Sequence, residues 1–80
     1  MENVNEYKTK DFYIAAFLVA KGYRILHINR NDPRKVFFAF KDFKAREDLI
    51  RVFLCGQTVI EPQAFIAAQK ALKGLIHSND

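Results

Sequence analysis

Between Asp11 and Lys21 run nine residues, Phe12-Tyr13-Ile14-Ala15-Ala16-Phe17-Leu18-Val19-Ala20, whose only polar group is the Tyr13 phenol. A helix built from them has no polar face to give to water, so whatever covers it decides what the chain can become. A secretory leader wants a net positive start and small residues ahead of its cleavage site. Here Glu2, Glu6 and Asp11 offset Lys8 and Lys10, and Leu18-Val19-Ala20 puts Leu at the −3 position. A membrane span needs about 20 apolar residues, far more than this run supplies. The run is therefore expected inside a folded domain, as a core helix or as a surface that a partner covers.

Its flanks predict a helix over Lys10 to Lys21. Thr9 is a side-chain acceptor at the N-cap position, Asp11 sets negative charge at the positive end of the helix dipole, and Gly22 can take the left-handed conformation that stops a helix. Eighty residues allow one domain and one core, with roughly 60 to 65% of the unfolded surface buried. Half the residues are hydrophobic, eight of them Phe, so the core needs neither metal nor disulfide. Cys55 is the only cysteine, which excludes an intrachain disulfide and suits a reducing cytoplasm. It follows Val52-Phe53-Leu54 on an apolar helix and is expected to be a buried or half-buried thiol with no catalytic role.

After Gly22 come two β-rich runs, Tyr23 to Asn29 and Lys35 to Phe40, around the break Arg30-Asn31-Asp32-Pro33-Arg34, a pattern that predicts an antiparallel hairpin. Val36, Phe38 and Phe40 share one face of the second strand, and Phe37 and Ala39 the other. Asp42 is placed to cap a second helix ending at Cys55 and Gly56, with Leu49, Ile50, Phe53 and Leu54 inward and Lys44–Asp48 and Glu47–Arg51 as outer charge pairs. Gln57-Thr58-Val59-Ile60 is a third strand candidate. Pro62 opens a last helix with Phe65, Ala68, Leu72, Leu75 and Ile76 inside. The expected fold is a two-layer α+β domain over residues 8–76, ordered α-β-β-α-β-α, with three helices on a three-stranded sheet and frayed termini at 1–7 and 77–80. The third strand is long enough removed from the hairpin for a parallel crossover through the second helix.

The stretch Lys8-Thr9-Lys10-Asp11-Phe12-Tyr13-Ile14-Ala15-Ala16-Phe17-Leu18, then Gly22-Tyr23, the strand end Phe38-Ala39-Phe40, and Pro62 with Phe65 resemble an uncharacterised family of short prokaryotic proteins known as a domain of unknown function. Lys10 departs from the small residue usual at that place in the family. The resemblance spans nearly residues 8 to 76 and implies no activity and no catalytic residues.

The residues offer little to chemistry. Cys55, His27, His77 and Asp80 are scattered without metal-ligand spacing, and Gly22, Gly56 and Gly74 stand alone rather than in a phosphate-binding loop. No enzyme activity, cofactor or metal is expected. Two functional classes remain. The first is an interaction or assembly domain: a helix apolar all round and a strand apolar on both faces ask for more cover than a small core obviously supplies, and a homodimer is the simplest source of it. Its interface residues would be Tyr13, Phe17, Ala20, Ile25 and Phe37. The second is nucleic-acid binding. The stretch from Lys21 to Arg51 has a net charge of +5 while the two ends together have −1. Arg34-Lys35-Val36-Phe37-Phe38-Ala39-Phe40 also has the basic and aromatic interleaving of an RNA-binding strand, without its glycines. Its contacts would come from Arg30, Arg34, Lys35, Lys41 and Lys44.

Overall fold

The structure, a computed structural model, describes residues 5–32 and 34–77, which form β1 (Glu6–Thr9), α1 (Phe12–Ala20), β2 (Ile25–Asp32), β3 (Lys35–Lys41), α2 (Arg46–Leu54) and α3 (Pro62–His77). The expected class holds: three helices, a three-stranded sheet and an antiparallel hairpin, together an α+β fold. The third strand differs from the expected one. It is β1, whose first two residues, Glu6 and Tyr7, fall in the terminus expected to fray, and the sheet order is β1-β3-β2 with both pairings antiparallel. Among the described residues the elements thus run β-α-β-β-α-α, with no parallel crossover. Gln57–Ile60 pairs with none of the three strands and stays irregular; it passes beside the end of α1, where the Val59 carbonyl accepts from Lys21 Nζ at 3.1 Å. The hairpin strands also extend beyond the expected break, to Asp32 on one side and from Lys35 on the other; Pro33, residues 1–4 and residues 78–80 lie outside the described residues.

Local chemistry sets the helix ends. Asp11, with extended backbone dihedrals, is the N-cap of α1: its carboxylate accepts from the amides of Tyr13 at 2.9 Å and Ile14 at 3.0 Å. Thr9, expected in that role, stays in β1, where its buried hydroxyl accepts the Asp11 amide at 3.1 Å. At the other end Gly22 has φ 101°, and the amides of Gly22 and Tyr23 donate to the carbonyls of Val19 and Leu18. This is the paired bonding of a Schellman motif, and it turns the chain directly into β2. Gly56, at φ 72°, ends α2 the same way, with Gly56 and Gln57 donating to Phe53 and Val52. The N-terminus of α2 departs from expectation. The helix begins at Arg46 and not after Asp42, because the Asp42 carboxylate is held by the Arg46 guanidinium at 2.9 Å and by the Phe43 amide.

The apolar run is covered by its own chain. Ile14, Ala15, Ala16, Phe17 and Leu18 are all buried, in one cluster with Phe38 and Phe40 of β3, Ile50 of α2, and Ala68 and Leu72 of α3. Phe17 stacks on Phe53 with ring centroids 4.3 Å apart and planes 12° from parallel. Each such side chain contributes about 1.5–3 kcal/mol by leaving water. No second chain is needed to enclose α1, which answers the question its sequence poses.

Candidate interaction surfaces

The Schellman turn after α1 brings Tyr23, Arg24 and Ile25 up beside the C-terminal half of α3. Between them lies an open groove of about 470 Å³ lined by Val19, Gly22, Tyr23, Arg24, Ile25, Ala71, Leu72 and Leu75. Only Arg24 among these residues has a charge. Leu75, expected on the inner face of α3, is 43% exposed here, since Leu72 and Ile76 already fill the space against the core. The groove is where the apolar core comes to the surface.

The five interface candidates do not form one patch. Ile25 lines the groove, and Ala20 is half-buried in the last turn of α1, beside the groove residue Val19. Phe17 is completely enclosed and therefore belongs to the core, a correction that follows from its stacking on Phe53. Tyr13 is exposed in the first turn of α1, its ring edge-on to Phe12. Phe37 is half-buried on the opposite side of the sheet. Sequence periodicity missed Tyr23, Ala71 and Leu75 as surface residues. The available signal was the width of the α3 stripe, since a helix with Leu72, Leu75 and Ile76 all apolar presents more than one neighbour can cover.

Leu54 and Cys55 also depart from expectation: Leu54 is 65% exposed and the Cys55 thiol is on the surface. Both residues immediately precede the Schellman stop at Gly56, at the exposed end of α2. Neither expected helix pair, Lys44–Asp48 or Glu47–Arg51, forms among the described residues; Asp42 pairs with Arg46 and Asp48 with Arg51 instead.

The open face of the sheet is fixed by register. Tyr7 and Thr9 of β1 pair with Phe40 and Phe38 and face the helices, so Glu6 and Lys8, opposite Lys41 and Ala39, face away. On β2, Leu26 is the extra residue of a bulge between Ile25 and His27, which lets Ile25 and Ile28 both face the core with Phe40 and Phe38. His27 and Asn29 then share the outer face with Ala39 and Phe37, and Asp32 sits opposite Lys35. Across the small Ala39, His27 Nε2 meets Glu6 Oε1 at 3.0 Å, joining the two edge strands over the central one. That cover explains why Ala39 is buried on the solvent side.

The cation candidates divide accordingly. Lys35 and Lys41 are on this face, six residues and about 20 Å apart along β3. Arg34 is at the hairpin tip and Lys44 in the turn before α2, both exposed. Arg30 is turned to a different purpose: its Nη1 donates to the Ile76 carbonyl at 2.6 Å, at the C-terminal end of α3. Lys8, for which the sequence alone predicts no binding role, joins the face because β1 pairs with β3. A polar cluster closes the end of the sheet, where the Arg46 guanidinium lies 4.1 Å from the Tyr7 ring centre and holds the Asp42 carboxyl below its ordinary pKa.

The fold and surfaces define a two-layer α+β domain with an all-antiparallel sheet, an apolar groove beside α3 and an open sheet face. Residues 4–78 match the family described as Domain of unknown function (DUF5659), and the chain belongs to that family. No curated protein and no solved structure matches the chain. Among the described residues, no helix is long and apolar enough to cross a membrane.

Proposed function

We propose that this chain is a non-enzymatic interaction domain that assembles with a second copy of itself through the apolar groove between the end of α1, the start of β2 and α3. The observation that carries this reading is the groove itself, where Val19, Tyr23, Ile25, Ala71 and Leu75 bring core-type side chains to the surface in one place. Association by strand addition is discouraged at both sheet edges. β1 is only four residues long and β2 has two register irregularities, devices that blunt an edge against pairing. Side-chain packing is what remains, and two-fold pairing lets one apolar patch cover its own copy. Arg24 can lay its alkyl stem along such an interface and keep its guanidinium at the rim. A cytoplasmic, prokaryotic setting accompanies the proposal; the exposed Cys55 thiol suits a reducing compartment.

The test is a dilution series followed by amide NMR. Concentration-dependent shifts at Val19, Tyr23, Ile25, Ala71 and Leu75 are expected, with Tyr13 and Phe37 unaffected. Shifts centred elsewhere, or none, contradict the groove as the interface.

A further inference from the structure

We infer that the open face of the sheet binds single-stranded nucleic acid, through Lys8, Lys35 and Lys41 with Phe37 as a stacking surface. This goes beyond the proposed self-association and does not depend on it, since the groove lies on the helix side. Three observations carry it. The ammonium groups of Lys8, Lys35 and Lys41 have no hydrogen-bond or ion-pair partner among the described residues, although register sets all three on one face. Two carboxylates share the face, Glu6, which meets His27 at 3.0 Å, and Asp32, which accepts the Arg34 amide at 2.9 Å, so the three lysines outnumber them. Between the lysines the His27–Glu6 pair covers Ala39, and the half-buried Phe37 ring beside it is the aromatic contact of this face. Cations along a backbone path beside an aromatic surface are what a sequence-tolerant single-strand binder requires. A three-stranded face is too broad for the major groove of a duplex, which admits a helix or a two-stranded ribbon. It suits unpaired bases that can lie flat.

The experiment is fluorescence anisotropy of a labelled oligothymidylate with the full chain across a salt series. Binding at low salt is expected, with log K falling against log salt at a slope of about −2, the value for three phosphate contacts on a single strand. The triple variant Lys8→Gln, Lys35→Gln, Lys41→Gln should bind at least ten-fold more weakly and flatten the slope, while its thermal melt stays that of a folded protein. Phe37→Leu, which keeps an apolar side chain, should lose about five-fold by removing the stacking surface. Leu75→Arg, in the groove, should retain binding, so failure of the groove reading and failure of this one are separable. No binding at low salt, an unchanged triple variant, equal affinity for a duplex, or equal competition by polyglutamate would each overturn the inference, the last in favour of an acidic protein partner.

Discussion

Phe17 and Tyr13 are four residues apart on the same side of α1, yet Phe17 is fully buried and Tyr13 is 58% exposed. Position along the helix axis separates them. Phe17 sits where the sheet, α2 and α3 converge, whereas Tyr13 is in the first turn, with its ring against Phe12. Replacing Phe17 by Ala therefore removes a stacked ring from a closed core and is expected to cost about 3–5 kcal/mol. That is a large share of the roughly 4–12 kcal/mol available to a domain of this length. Tyr13→Ala should change stability by about 0.5 kcal/mol or less, as exposed substitutions do. Urea midpoints of the two variants check this, and similar losses would mean that Tyr13 is covered in solution. Asp42 gives a pH-dependent counterpart. Its hydrogen bond to Arg46 lowers its pKa in the folded state, so its contribution is complete above the unfolded carboxyl value of about 4 and fades as pH falls through the lower folded value. Urea midpoints measured downward from pH 5 should fall less steeply in Asp42→Asn than in the parent. Because the pair is partly solvent-exposed, added salt should narrow the difference.

At the scale of elements, β3 organises the molecule, with a strand on each edge and Phe38 and Phe40 fully inside. Native-state hydrogen exchange should find the backbone amides of Phe38, Ala39 and Phe40 among the slowest and those of Thr58, Val59 and Ile60 among the fastest. Slow exchange across Thr58 to Ile60 would contradict the strand assignment. The sequence made the hairpin, the three helices and both glycine stops legible, because apolar period, Gly22 and Gly56 act locally. It hid β1, since Glu6-Tyr7-Lys8-Thr9 has one large apolar residue and is a strand only through its pairing with β3. It also overstated Thr58-Val59-Ile60, whose β-branched side chains fit a pleated surface but pair with none of the three strands. The site residues followed the same division. Ile25 and the lysines of β3 could be named from the hairpin pattern, whereas Lys8 required β1, and Tyr23 with Leu75 required the turn that brings β2 beside α3.

For the whole molecule, α1 is covered within the chain, and the surface left for assembly is the groove. There the core is left open on one side by the Schellman turn, with Tyr23 and Leu75 at its surface. The net charge of +4 works against association at low ionic strength, so self-association through an apolar surface should tighten as salt screens it. Binding to nucleic acid by the opposite face should weaken under the same change, and opposite salt responses of the two surfaces are a signature of their independence. In the proposed assembly this domain pairs with itself through the groove. Sedimentation velocity at tens of micromolar and moderate salt tests it most directly. The expected result is a species of twice the 9.3 kDa chain mass that reverts to monomer in Leu75→Arg. A parent chain that sediments as a monomer, or a dimer indifferent to Leu75→Arg, would contradict it.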